Sequence, residues 1–376
     1  MLKDHYDIII VGAGPAGLAC ALQLKELGAE DFVVLERFQF PRSKCCAGYI
    51  TGKTRQAYEA FGLSTKNCHY SFIEDFGIYW KGTERQKITN RFLYTNRGID
   101  RVELDHEFFK LARAKGVHTE ENCRVSAIDR QAKTLTVNDS QTVSFNKLVL
   151  ADGTMGIGSK LQEPIKRNIA MQLIFQSGRP DSIELHFGIS PKGYGWISSF
   201  GGLTNIGLTD EFRKDADYHK LFAEYMRGAG FDPDELLGTE GPAEKHVPEK
   251  SADTDKIGSG KPQLHAAFTP IGVKEPILDG RIYFAGDALG ACDPFTLSGL
   301  RYGLKSGKTA AEAIVSGDDG MYRKYAKQMK RRFGFSRFLM KCFYLRPVQF
   351  LVFAVGCKCF GGFISAVFNN FFVNKK

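Results

Sequence analysis

At 376 residues, 43% hydrophobic and 25% charged, the chain has the make-up of a globular protein long enough for two closely joined domains or one large one. Its nine cysteines are odd in number and scattered, without the spacing of a zinc or iron–sulfur site, so neither a disulfide framework nor a resident metal is expected and a reduced, cytoplasmic chain is. The net charge of +9 comes from the C-terminal part alone: Met321 to Lys376 holds twelve Lys/Arg and no Asp/Glu, which leaves −3 for residues 1–320.

The first 36 residues carry the strongest signal. Tyr6 to Val11 is a β-branched, apolar run that predicts a buried strand. Gly12-Ala13-Gly14-Pro15-Ala16-Gly17 follows at once, then a helix over Leu18 to Leu27 ended by Gly28, then a second strand from Phe32 to Leu35 that stops at Glu36. Glycines at this spacing, between a strand and a helix and followed by an acid after the next strand, form a dinucleotide-binding fingerprint. Gly12 makes the tight turn, Gly14 lets a pyrophosphate approach the backbone, and Gly17 lets helix and strand pack closely. The helix N-terminus offers free N–H groups to phosphate, and Glu36 stands where a carboxylate accepts from ribose hydroxyls. No cleaved leader is expected, because the first strand begins so early.

Farther along, Phe40 to Thr51 reads as a loop dense in Pro, Arg, Lys, Cys and Gly, and Thr54 to Phe61 as a helix. Phe72 to Trp80 and Lys87 to Tyr94 predict strands, and Val102 to Lys115 a helix with Leu104, Phe108 and Leu111 on one face. Short strands are expected over Cys123 to Ile128 and Thr134 to Val137, and a buried one over Leu148 to Ala151 ending in Asp152-Gly153. A strand-rich stretch follows: Ile169 to Gln176, Ile183 to Phe187, Tyr194 to Phe200 and Asn205 to Leu208. Lys214 to Gly228 reads as a helix, and Phe231 to Lys261 as a long polar connection. Arg281 to Asp287 returns to a buried strand, and Gly299 to Ser316 to a helix stopped by Gly317.

The basic tail is also rich in phenylalanine, including Phe333, Phe335, Phe338, Phe343, Phe350 and Phe353. Basic plus aromatic composition suits a membrane surface, and equally a helical subdomain packed on the body with a solvated basic face; the two are compatible. Phe350 to Phe368 is apolar enough to raise a membrane span, but Lys358 at its centre would cost about 2.5–3.5 kcal/mol and Gly356, Gly361 and Gly362 weaken a helix. Nucleic acid is not an expected partner, because the tail's aromatics come in apolar runs rather than on a polar platform.

Three further segments bear chemistry: Asp152-Gly153 after a strand, Gly286-Asp287 with Asp293-Pro294 before the helix that opens at Gly299-Leu300, and the loop Pro41-Arg42-Ser43-Lys44-Cys45-Cys46-Ala47-Gly48. With the fingerprint and with Arg101 ahead of Leu104-Asp105, their order resembles the geranylgeranyl reductase family of FAD-dependent oxidoreductases, within the p-hydroxybenzoate-hydroxylase fold group, over about residues 6–316. The resemblance implies an α/β (α+β overall) architecture. Residues 1–70, 95–165 and 275–318 would form a discontinuous Rossmann-like FAD-binding domain. It would be interrupted by a mostly antiparallel substrate domain over 71–94 and 166–274, with 319–376 a basic helical region.

By the same resemblance Gly12, Gly14, Ala16, Gly17, Glu36 and Arg37 would hold the ADP half of FAD. Arg101 would sit by the pyrophosphate and Val125 by the adenine. Cys46, Ala47 and Gly48 would line the flavin, while Asp152, Gly153, Gly286, Asp287, Gly299 and Leu300 would complete the site. Gly193-Tyr194-Gly195-Trp196 is similar to the family's Tyr-x-Trp stretch, which makes Tyr194 and Trp196 cavity walls. The expected chemistry is reduction of a C=C bond in an isoprenoid or other lipid-like substrate, with Cys46 the candidate acid or positioning group and NAD(P)H or reduced ferredoxin the transient electron donor. Arg42 and Lys44 read either as a screen for phosphate charge or as a solvated loop face.

Departures fall on the substrate side. Ala47 stands for the first of two glycines, Ser198-Ser199 for Phe-Pro, and Thr296-Leu297-Ser298-Gly299 for Thr-Gly-Glu-Gly. A flavin monooxygenase or halogenase of the same fold group is the alternative, as is a non-enzymatic membrane-surface protein. Against hydroxylation, Leu289-Gly290 follows Gly-Asp where hydroxylases carry a histidine; against halogenation, Tyr194 stands where halogenases carry the first Trp of Trp-x-Trp.

Overall fold

The computed structural model describes residues 2–64, 68, 71–72, 75–89, 93–95, 101–237 and 262–356. The first half of the chain runs β1 (His5–Val11), α1 (Pro15–Glu26), β2 (Phe32–Leu35), β3 (Tyr49–Thr51), α2 (Gly52–Glu59), β4 (Ser71–Phe72), β5 (Asp75–Trp80), β6 (Thr83–Thr89), β7 (Leu93–Thr95) and α3 (Val102–Ala114). Then come β8 (Thr119–Glu120), β9 (Val125–Asp129), β10 (Thr134–Val137), β11 (Gln141–Leu150), β12 (Lys166–Gln176), β13 (Ser182–Phe187), β14 (Gly195–Phe200) and β15 (Leu203–Glu211). The chain continues with α4 (Tyr218–Gly228), α5 (Pro233–Leu237), β16 (His265–Ile271), β17 (Ile277–Leu278), β18 (Ile282–Phe284), α6 (Leu300–Ser316), α7 (Asp319–Phe343) and α8 (Arg346–Phe350), which continues into a wide helical turn over Leu351–Gly356.

Two large sheets result. In the first, β18, β11, β1, β2 and β8 lie side by side and parallel, with β17 antiparallel at one edge and a β9–β10 meander attached to β11. Its central strands are near-continuous apolar runs because both faces of a parallel sheet are covered; Ile9, Ile10, Val33, Val34, Val149 and Leu150 are all fully buried. The second sheet has the order β16-β12-β15-β14-β13-β5-β6 and is antiparallel except where β13 meets β5. Here alternate residues face opposite ways. Leu185 and Trp196 join Phe76 and Ile78 in one apolar cluster, whereas Ile197, Ile206 and Leu208 pack with Phe222 and Met226 of α4.

Several boundaries differ from the sequence expectation. α1 begins at Pro15 rather than Leu18, because proline's missing N–H costs nothing in a helix's first turn. α4 begins at Tyr218 rather than Lys214, because the Asp217 side chain caps it by accepting from the Lys220 N–H. The loop over Phe40 to Thr51 ends in a strand, β3, and the expected strands over Phe72 to Trp80 and Lys87 to Tyr94 each split, their outer pieces β4 and β7 forming a small third sheet in which β7 pairs with both β3 and β4. Residues 73–74 and 90–92 of those runs lie outside the described residues. β16 and α5 were not foreseen; the rest of the polar connection, 238–261, is outside the described residues.

The tail packs on the body as far as Phe353. Tyr322, Met329 and Phe333 of α7 join the main core, and Phe353 joins the apolar cluster on the second sheet. No helix among the described residues is long and apolar enough to cross a membrane. Most of the candidate span, from residue 357 on, and Cys357-Lys358-Cys359 lie outside the described residues.

Candidate active site

One cavity of about 530 Å³ lies between the two large sheets. Its first wall comes from the nucleotide-binding turns. The Gly12 backbone is left-handed (φ 101°), and a Cβ there would fall 2.6 Å from the Ala151 carbonyl oxygen, so only glycine fits between β1 and β11. A Cβ on Gly17 would fall 1.9 Å from the Gly12 oxygen, which is the close helix–strand contact its spacing predicts. Gly14, at the α1 N-cap, faces a cation instead: the nearest atom to a Cβ there would be Arg42 Nη2 at 3.7 Å.

That arginine is buried, not solvated. Arg42 Nε lies 3.6 Å from Glu36 Oε2, and Nη1 lies 3.6 Å from Asp105 Oδ2. Asp105 in turn receives a two-pronged pair from Arg101, at 2.7 and 3.2 Å. All four side chains are at most 9% exposed. Burial pushes the Asp105 carboxyl up, but the Arg101 and Arg42 guanidiniums outweigh it and hold it below the usual carboxylate range. Glu36 also accepts from the Ala13 and Phe38 N–H groups, so its carboxylate is fixed beside the glycine turn.

The Cys46 loop bridges the two halves. Lys44 Nζ pairs with Asp287 Oδ2 at 3.3 Å, tying the loop to the Gly286-Asp287 turn. Two residues on, Gln172 Oε1 accepts from the Cys46 N–H at 2.8 Å, and Asn205 Nδ2 donates to the Cys46 carbonyl at 3.0 Å. Burial raises the Cys45 thiol far above its ordinary value, and the same holds for Cys292 across the cavity. Neither is a proton source near neutrality.

The far wall is apolar. Leu185, Phe187 and Trp196 of the second sheet, with Tyr194 just ahead of β14, face Phe343, Val352 and Phe353 from the tail. The Trp196 indole packs against Gly207, where a Cβ would fall 1.9 Å from the ring, and its N–H donates to Asn205 Oδ1 at 3.0 Å. The tail is thus part of the cavity, which its composition did not reveal.

Of the residues singled out from sequence, Gly14, Ala16, Cys46, Ala47, Arg101, Gly153, Gly286, Asp287, Gly299, Leu300, Tyr194 and Trp196 line this cavity. Gly12, Gly17 and Glu36 lie just behind it, in the turn. Gly48 is buried with a left-handed backbone (φ 78°). Asp152 accepts from the Gly158 N–H through Oδ2, while its buried Oδ1 has no hydrogen-bond partner among the described residues. Arg37 is exposed over the Phe38 ring, and Val125 is buried in β9; neither lines the cavity. Gln172, Asn205 and Arg42 carry more of the geometry than their sequence context suggested.

Residues 6–168 match the pyridine nucleotide-disulphide oxidoreductase family. The chain is 26% identical to a menaquinone reductase of Mycolicibacterium smegmatis, over 84% of this chain and 78% of that protein. It is 25% identical to a digeranylgeranylglycerophospholipid reductase of Methanococcus vannielii, over 84% and 79%. The chain is an FAD-dependent oxidoreductase with proteins named menaquinone reductase and digeranylgeranylglycerophospholipid reductase among its relatives. A solved geranylgeranyl bacteriochlorophyll reductase-like protein of Thermoplasma acidophilum shares the fold of this oxidoreductase, at a TM-score of 0.67 and 19% identity, over 91% of this chain and 88% of that one.

The site fits the cofactor. The α1 N-terminus has no side-chain cap, so its free N–H groups are open to a diphosphate. Arg42 Nε is buried without a hydrogen-bond partner among the described residues, and Nη2 of the same guanidinium stands beside the missing side chain of Gly14.

Proposed function

We propose that this oxidoreductase reduces C=C bonds of an isoprenoid or other lipid-like substrate. The observation that carries the reading is the continuity of the cavity, from the nucleotide-binding turns to a chamber walled by Phe187, Tyr194, Trp196, Phe343 and Phe353, with the Cys46 loop tied to both halves. The names of the relatives, a menaquinone reductase and a digeranylgeranyl-lipid reductase, point to the same class of long apolar substrate.

In this reading residues 1–70, 95–165 and 275–318 bind FAD and residues 71–94 with 166–274 hold the substrate. Gly12, Gly14, Ala16, Gly17, Glu36 and Arg37, with Arg101 and Val125, would take the ADP half. Cys46, Ala47, Gly48, Asp152, Gly153, Gly286, Asp287, Gly299 and Leu300 would take the rest. Bound, reduced FAD would supply a hydride to one alkene carbon. The chain does the remainder: the aromatic wall excludes water and aligns the alkene, and Cys46 holds the proton that goes to the neighbouring carbon. Electrons return through NAD(P)H or through a reduced ferredoxin, whose acidic surface would suit the basic α7. We place the protein in the cytoplasm at the inner membrane surface.

The test is anaerobic. The purified, yellow protein is reduced with NAD(P)H or with reduced ferredoxin in separate runs, and candidate lipids are added. Return of the oxidised-flavin absorbance with one lipid class, with a product two hydrogens heavier, is the expected result. Reoxidation only by oxygen, with peroxide, an oxygenated product or a halide-dependent product, would replace this reading by a monooxygenase or halogenase.

A further inference from the structure

Eight large hydrophobic side chains stand exposed among the described residues, and five of them (Phe335, Phe338, Leu345, Phe350 and Leu351) fall within the seventeen residues 335–351. Each of the five is 55–63% exposed. So dense a cluster is not the ordinary scatter of surface apolar groups. Phe335 and Phe338 are three apart on α7 and share a helix face. Phe350 and Leu351 belong to the turn that closes the cavity: they point outward, while the next two residues, Val352 and Phe353, line the chamber. The wall here is one helical turn thick and apolar on both sides.

A second, distant segment meets the same turn. Trp80, at the end of β5, has its ring 5.9 Å from Phe353 and 6.2 Å from Phe350. Lys81 Nζ and the Arg85 guanidinium each lie 5.2 Å from the Trp80 ring. A tryptophan flanked by cations beside exposed Phe and Leu is the chemistry of a membrane–water interface. The charge agrees: between Met321 and Gly356 there are nine Lys/Arg and no Asp/Glu, whereas residues 1–320 are net negative.

We infer that the corner formed by Trp80, Lys81 and Arg85 with Phe350 and Leu351 docks this protein on an anionic lipid bilayer, with the thin cavity wall turned to the lipid. The inference rests on the reading of the chamber as a lipid-substrate site and adds where its substrate arrives. Phe350 and Leu351 would enter the acyl boundary, the cations would meet anionic headgroups, and an apolar chain would reach the chamber past Val352 and Phe353 without crossing water.

The test uses the full-length holoprotein and vesicles of phosphatidylcholine with or without phosphatidylglycerol. Wild type should cosediment with the anionic vesicles at least ~10-fold more tightly than with neutral ones, and raising the salt to several times 0.1 M should weaken that binding. Phe350→Ser with Leu351→Ser, and separately Lys81→Glu with Arg85→Glu, should each weaken it ~10-fold or more while flavin content and circular dichroism stay unchanged. Acyl-brominated lipid should quench the wild-type tryptophan fluorescence, and Trp80→Phe, which leaves only Trp196 inside the chamber, should reduce the quenching. Salt-independent binding, undiminished binding of both double variants, or quenching that is undiminished in Trp80→Phe overturns the inference. So does a wild type that ignores vesicles, including one that forms dimers which Phe350→Ser with Leu351→Ser separates, since a second copy then covers the patch. No substrate enters these measurements: a chain that binds vesicles as expected yet reduces no lipid would refute the reaction and not the surface.

Discussion

Asn205 Nδ2 donates to the carbonyl oxygen of Cys46 across 159 residues of sequence, and the oxygen of the same amide receives the Trp196 indole N–H. One buried side chain therefore sets both the loop that would face the flavin and the wall that would face the substrate. Asn205→Ala leaves two buried partners unsatisfied, at about 1–3 kcal/mol each. A loss of stability of about 3 kcal/mol in denaturant melts is expected, with a fall in turnover. Asn205→Asp keeps the acceptor for Trp196 but sets an anion against the Cys46 carbonyl, so it should lose activity too. Wild-type turnover in either variant would remove Asn205 from the positioning role.

The Arg101–Asp105–Arg42–Glu36 chain is buried, so removing one member strands the others. Asp105→Asn should cost about 3–5 kcal/mol, and FAD should wash out more readily on dialysis. Asp105 has a folded-state pKa depressed by its arginines, so its contribution is present above the unfolded carboxylate value, near 3.9, and is lost as pH falls below it. Acid unfolding curves for wild type and variant should therefore draw together as pH falls below the unfolded carboxylate value; a gap that stays constant there would contradict the electrostatic account.

Asp152 runs the other way. Burial pushes its carboxyl up to about 6. It binds its proton more tightly folded than unfolded, so this effect favours the fold below the unfolded value and is lost as pH rises through about 6. Asp152→Asn can still accept from the Gly158 N–H and escapes this loss. In the flavin-free protein the variant should gain on wild type between pH 4 and 7, by up to about 3 kcal/mol. Parallel stability–pH curves would show that Asp152 ionises freely.

Leu297 adopts a left-handed backbone (φ 53°) while lining the cavity. The conformation is one that a glycine would take without strain. At an ordinary position alanine is more stable than glycine by about 0.5–1 kcal/mol. At 297 the order should reverse, Leu297→Gly melting above Leu297→Ala by an amount equivalent to about 1 kcal/mol. The ordinary order would mean that the turn relaxes. A reversal implies that leucine is kept for its shape in the cavity.

The nucleotide-binding half was legible because its signals are local. Gly12, Gly14 and Gly17 answer to contacts within one strand–turn–helix unit, and Ile8 to Val11 and Phe32 to Leu35 are apolar throughout because parallel strands are covered on both faces. β16 was missed: His265–Ile271 carries no clean alternation and takes its strand form from pairing with β12. The standing of Arg42 was left open, since an arginine in a polar loop reads alike whether solvated or enclosed by Glu36 and Asp105.

The order of glycines, carboxylates and apolar runs thus determined by itself that this chain builds a dinucleotide turn, a second sheet and a basic tail, because each depends on residues a few positions apart. Only the tertiary structure decided that Gln172 and Asn205 hold Cys46, that Trp196 lies on Gly207, and that the tail supplies Phe343 and Phe353 to the cavity. Those partners stand tens to hundreds of residues apart. Their meeting is set by which faces the whole core can bury together, and no short stretch of sequence encodes that.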